Sequence, residues 1–80
     1  MDPNELETLI ASAFPEARVQ VTGDGRHFEA VIVSEDFQGK SLIQQHRLVY
    51  QALGEQFATE AVHALSLKTY TPEEWNGLQQ

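Results

Sequence analysis

Apolar residues recur at Leu6, Leu9, Ile10, Ala13 and Phe14, spacings of three and four that lay them along one face of a helix. Asp2 supplies a cap, Pro3 the first helical position and Glu5 the third. Pro15 ends the helix, because the residue before a proline avoids helical dihedrals. The period then changes to two. Val19 and Val21 alternate with Arg18 and Gln20, and Phe28, Ala30 and Ile32 alternate with His27, Glu29, Val31 and Val33; each run has the alternation of a strand. Thr22-Gly23-Asp24-Gly25 between them has turn chemistry, so the spacing predicts a hairpin whose loop runs from about Gly23 to Arg26 and rejoins the sheet at His27.

Ser34 to Lys40 is polar, contains Gly39 and reads as a loop. Ser41 with Gln44 three residues later forms a capping box. Leu42, Ile43, His46, Val49, Tyr50 and Leu53 then share one face of a second helix, which Gly54 interrupts. Glu55 to Thr59 could make a short further helix. A strand is expected over Ala61 to Tyr70. Since Val62 and Ala64 are apolar on one side and Leu65 and Leu67 on the other, it is expected at the centre of the sheet. Thr71 as cap, Pro72 and Glu74 open a terminal helix, with Asn76-Gly77 expected to stop it. The order α-β-β-α-α-β-α suits an α+β domain in which helices cover a three-stranded mixed sheet.

Eighty residues, 41% hydrophobic and 21% charged, make one domain over 1–80 with a single modest core. The net charge of -7, with only five basic residues in no cluster, argues against nucleic-acid binding driven by phosphate neutralisation. The chain has no cysteine, which excludes disulfides, thiolate nucleophiles and all-cysteine metal sites within it. The acidic start Met-Asp-Pro-Asn-Glu lacks the form of a signal peptide, and no apolar run approaches a membrane span. A cytoplasmic protein is the expectation.

Several motifs fail on inspection. Gly39-Lys40-Ser41 resembles the end of a phosphate loop, but Ser34 stands where the first glycine belongs and no strand leads into it. Gly23-Asp24-Gly25 lacks the third glycine and crossover helix of a dinucleotide site, and the spaced acids of a calcium loop. His63 and Ser66, three apart on a strand, point to opposite faces and cannot act as base and nucleophile. His46 among Ile43, Val49 and Tyr50 reads as a part-buried histidine with a satisfied hydrogen bond. His63 and His27 remain, each at the rim of an expected strand. Two imidazoles could supply half a tetrahedral metal shell; lying 36 residues apart, they are not brought together by spacing alone.

The segments Val-Thr-Gly-Asp-Gly-Arg-His-Phe at 21–28, His-Arg-Leu-Val-Tyr at 46–50 and Val-His-Ala-Leu-Ser-Leu-Lys-Thr-Tyr-Thr-Pro-Glu-Glu-Trp at 62–75 resemble the BolA family, in its IbaG-like bacterial branch, with the last segment the most specific. The resemblance covers nearly the whole chain and implies the family's fold, similar to the class II KH fold. It implies a partner, a monothiol glutaredoxin, and a two-iron, two-sulfur cluster shared across the heterodimer. His63 matches the family's signature ligand and His27 the variable ligand of the loop between the first two strands. The glutaredoxin cysteine and a glutathione thiolate would complete the set. Mixed His/Cys ligation tends to raise a cluster's potential and makes it acid-sensitive, because only neutral imidazole binds.

The sequence therefore leads to a non-enzymatic cluster adaptor linked to iron homeostasis and stress response. His63 and His27 would be its ligands, and the junction Lys68, Thr69, Tyr70, Thr71, Pro72 to Trp75 would dock the glutaredoxin. The competing reading is a nucleic-acid-binding transcriptional regulator using the KH-like fold. A KH loop needs Gly-x-x-Gly between its paired helices, where this chain has Gly54 alone. A third is a protein–protein module with structural histidines.

Overall fold

The computed structural model describes residues 2–54 and 64–79. Within them the chain runs α1 (Pro3–Ala13), β1 (Arg18–Gly23), β2 (Phe28–Val33), a single 3-10 turn (Glu35–Phe37), α2 (Leu42–Leu53), β3 (Leu65–Tyr70) and α3 (Pro72–Gln79). The helix expected at Glu55 to Thr59, and Ala61 to His63 of the last expected strand, lie outside the described residues. The rest is the expected α+β arrangement. β1 pairs antiparallel with β2, and β2 pairs parallel with β3.

Each helix starts where its capping chemistry says. The Asp2 carboxylate accepts from the Asn4 N–H at 2.9 Å. Ser41 Oγ accepts from the Gln44 N–H at 3.2 Å while Gln44 Oε1 accepts from the Ser41 N–H at 2.8 Å. Thr71 and Glu74 make the same reciprocal pair at 3.2 and 2.8 Å. These satisfy donors that the first turn of a helix leaves without partners. α1 ends at Phe14, just before Pro15, with φ -128° and ψ 74°.

The core lies between α1, α2 and one face of the sheet. Leu6, Ile10 and Phe14 meet Phe28, Ala30 and Ile32, joined by Val49, Leu53 and Leu65. The strand period of two puts Glu29 and Val31 on the opposite face, where Glu29 and Lys68 form an ion pair at 3.3 Å.

Four expectations are corrected. The central strand is β2, not the last one; the order is β1-β2-β3. The described part of β3 alternates, with Leu65 and Thr69 buried and Ser66 and Lys68 exposed, as a strand packed on one face does. The supposed loop at 34–40 carries a core residue, because the 3-10 turn folds Phe37 inward to full burial, its ring 5.8 Å from that of Phe14. The buried stripe of α2 is Gln45, Val49 and Leu53. Ile43 lies about 120° around the helix from that stripe at 100° per residue, and Leu42 sits in the first turn, so they are 67% and 60% exposed rather than core. Finally, Asn76-Gly77 does not stop α3, which continues to Gln79 with Gly77 in helical conformation.

Candidate functional site

His27 closes the β1–β2 turn, and one carboxylate organises that turn. Asp24 Oδ1 accepts from the His27 N–H at 2.8 Å and the Arg26 N–H at 2.9 Å, and the Asp24 N–H donates to the His27 carbonyl at 3.2 Å. These bonds to the charged form, the His27 N–H first and the Arg26 N–H second, hold the Asp24 carboxyl below its ordinary 3.8. Gly25 takes φ 94°, a left-handed conformation that a side chain would strain. Gly23 is needed for a different reason. A Cβ there would drive into the His27 carbonyl oxygen and the Phe28 ring. The peptide holding His27 thus packs directly on β1, while the imidazole stands exposed. Asp24 and Gly23 carry the geometry of this loop. The Asp-Gly pair was the available signal, since aspartate in turns bonds the backbone two and three residues on.

His63, the other expected ligand, lies outside the described residues. The described chain resumes at Ala64, and Leu65 pairs with Phe28, the residue after His27. Among the described residues no group of three or more His, Asp and Glu side chains could together hold a metal ion.

The junction expected to dock a partner lies toward the other end of β3. Lys68 is exposed and shares its charge with Glu29. Thr69 is buried, and its Oγ1 donates to Gln45 Oε1 at 2.6 Å, so its side chain faces the interior rather than a partner. Tyr70 and Trp75 stack at 5.4 Å with their rings inclined 53°. The Trp75 Nε1–H is shielded from solvent and has no hydrogen-bond partner among the described residues. Thr71 and Pro72 are half-buried at the start of α3.

The rejection of a phosphate loop gains physical content. Gly39-Lys40-Ser41 offers no free cradle of N–H groups: the Lys40 N–H donates to the Phe37 carbonyl at 3.2 Å, and the Ser41 N–H is taken by Gln44. A pocket of about 250 Å³ beneath Pro72 is lined in part by Glu16, Glu35 and Asp36, a sign of charge that repels phosphate. His46 is half-buried as expected. Its Nε2, however, has no hydrogen-bond partner among the described residues, so the expected satisfied bond is not found there.

Among the described residues, three helices on a three-stranded mixed sheet and a histidine on its hairpin turn make the frame of an α+β domain. Residues 1–74 match the family model for BolA-like protein, and the chain belongs to the BolA family. It is 40% identical over 75 residues to the acid stress protein IbaG of Escherichia coli K12, covering 94% of this chain and 89% of the relative. This supports the IbaG-like branch. It is 47% identical over 57 residues to the DNA-binding transcriptional regulator BolA of the same organism, covering 71% of this chain and 53% of that one. A bolA protein homologue from Coxiella burnetii superposes with a TM-score of 0.83 at 43% identity, over 95% of this chain and 97% of that one. Among the described residues no helix is long and apolar enough to cross a membrane.

Proposed function

We propose that this BolA-family chain is a non-enzymatic adaptor that shares a two-iron, two-sulfur cluster with a monothiol glutaredoxin. In this reading His63 and His27 lend imidazole, and the glutaredoxin cysteine and glutathione lend thiolate. The cluster is cargo, passed on under the control of iron status or stress. The observation that carries the reading is the parallel register Phe28↔Leu65. His27 immediately precedes the first of these residues, and His63 stands two positions before the second in the sequence. The exposure of the His27 ring on a turn anchored by Asp24 supports it further, because a ligand donated to a partner's metal must face outward on a fixed backbone. With no cysteine in the chain, every thiolate has to come from the partner side. Docking through Lys68 to Trp75 at the far end of β3 asks the glutaredoxin to span about 17 Å, the rise of a six-residue strand. An interface of ordinary size, about 800 Å² per partner, is wide enough.

Mixing the protein with cluster-loaded monothiol glutaredoxin should change the visible absorption and circular dichroism of the cluster. His63→Ala and His27→Ala should each diminish that change. Spectra that stay as they were on mixing, or that change equally with His63→Ala, refute the reading.

A second reading, nucleic-acid binding, is favoured by the name of the 47% identical relative. The charge of -7 weighs against it. Phosphate-driven binding to duplex DNA would weaken steeply between 50 and 200 mM salt, so a salt-titrated binding assay separates the two.

A further inference from the structure

The acids of this chain are unevenly placed. Twelve are present, yet none falls between Phe37 and Gly54. α1 carries Glu5 and Glu7, and α3 carries Glu73 and Glu74. α2 carries none, and even its capping box uses the neutral Gln44 where α3 uses Glu74. Two of the five basic residues, Lys40 and Arg47, belong to this same segment. Neither has an ion-pair partner within 4 Å among the described residues, where Lys68 and Glu29 do pair. Within an acidic protein, α2 and the residues that lead into it carry two cations and no acid of their own.

That surface also carries apolar groups in water. Leu42 and Ile43, adjacent in the first turn, are 60% and 67% exposed. Ile43 and Arg47 follow at i and i+4 on the outer side of the helix, bordered at i+7 by Tyr50, which is half-buried and packs in part against the core. Lys40 precedes the cap. The inner stripe of Gln45, Val49 and Leu53 already anchors α2 to the core, so Leu42 and Ile43 are not needed to hold it. Single exposed aliphatics are ordinary. An adjacent pair flanked by cations that have no ion-pair partner among the described residues has the form of a small interface, with an apolar centre and a charged rim.

We propose that the exposed first turn of α2, with Leu42 and Ile43, together with Lys40 before it and Arg47 on the outer side one turn on, docks an acidic amphipathic segment of another protein, with aliphatic side chains against Leu42 and Ile43 and carboxylates against Lys40 and Arg47. The aliphatic pair favours a protein over a nucleic acid, because phosphates and sugars gain nothing from burying leucine and isoleucine, and two cations neutralise little of a duplex. His27 and His63 are not among these residues, and the proposal does not depend on any cluster being shared.

The test is amide chemical-shift mapping on the isotope-labelled protein, titrated with a synthetic helical peptide bearing a Leu/Ile stripe between two rows of Glu. A control peptide carries Lys in place of every Glu. The acidic peptide should move the amides from Lys40 to Tyr50 saturably, with affinity falling several-fold between 50 and 200 mM salt. Ile43→Ser and Arg47→Glu, both at exposed positions and checked for unchanged far-ultraviolet circular dichroism, should each weaken it about tenfold. Absence of shifts at millimolar peptide overturns the proposal, as does equal binding of the Lys peptide or of the variants. Movement of the same amides with protein concentration alone would show a second copy as the occupant and would also overturn it. So would duplex DNA that moves them equally in wild type and Ile43→Ser.

Discussion

The two ends of the sheet are held by different means. Near the end of β3, Gln45 reaches in from α2: its Nε2 donates to the Phe37 and Lys40 carbonyls at 3.2 and 3.0 Å, and its Oε1 accepts from Thr69 at 2.6 Å. Three elements are tied there through one buried amide. At the start of β2 the tie is a surface carboxylate bonded to two backbone N–H groups, and the side chain it presents, His27, is free in water. Buried polar groups are costly when unpaired, so the first arrangement fixes packing. The second leaves side chains available at small cost and fixes only the backbone beneath them. The contrast teaches where to look for chemistry in a domain this small: at the end whose order comes from the main chain.

The largest effect should come from cutting the buried tie. Gln45→Ala strands the Lys40 carbonyl and the Thr69 hydroxyl, leaves the Phe37 carbonyl with the Lys40 N–H alone, and should destabilise the fold by about 3 kcal/mol. Urea unfolding would show it, and the double variant with Thr69→Val should lose less than the two single losses added together. At the other end Gly23→Ala forces a Cβ against the His27 carbonyl and should cost about 2 kcal/mol, in the range of overpacking. Its signature is different, since the shift changes should centre on Asp24 to Phe28. If the two substitutions perturbed the same amides, the ends would not be independent.

The legibility of each end in the sequence follows from the same contrast. The caps at Asp2, Ser41 and Thr71 were readable because their partners lie two or three residues away. The hairpin was readable because its glycines and its period of two are local. Gln45 was not. A helical period searches for apolar residues and selects Ile43, whereas the buried seat goes to a glutamine whose partners lie 8 residues upstream and 24 downstream. Phe37 hid for a similar reason, since a three-residue 3-10 turn has too few positions to show a period. The strand order was misjudged because apolar density at Val62 and Ala64 carries no information about which neighbour pairs with which edge. His27 was legible as a candidate by its place beside the turn, but what fixes it, the Asp24 carboxylate and the closeness of Gly23, depends on how the loop closes.

A third effect separates the ends by pH. Because the Asp24 carboxyl sits below its ordinary 3.8 in the folded chain, its turn bonds are complete above that value and are lost as pH falls through the lower folded value. The amides of Arg26 and His27 should therefore hold steady through neutral and mildly acid pH and titrate together below about 3.8. Asp24→Asn should abolish that titration while leaving the Gln45 and Thr69 signals as they were. Titration of Thr69 in step with His27 would join the two ends into one cooperative unit.

The smallest effect belongs between them. Glu29 and Lys68 lie diagonally across the parallel pair on the open side of the sheet, Glu29 opposite Ser66 and Lys68 opposite Val31, at 3.3 Å but with 48% and 51% of their side-chain surface in water. At such exposure solvent screens the charges, and ordering two long side chains offsets most of the attraction. A double-mutant cycle with Glu29→Gln and Lys68→Met should return a coupling of about 0.5 kcal/mol or less, shrinking further in 0.5 M salt. The value matters because Lys68 opens the junction proposed to dock a glutaredoxin. A weakly held lysine can leave Glu29 for a carboxylate on a partner, whereas a coupling well above 1 kcal/mol would mark the pair as a fixed brace between β2 and β3. Lys68 would then count with Gln45 and Thr69 among the residues that hold the fold.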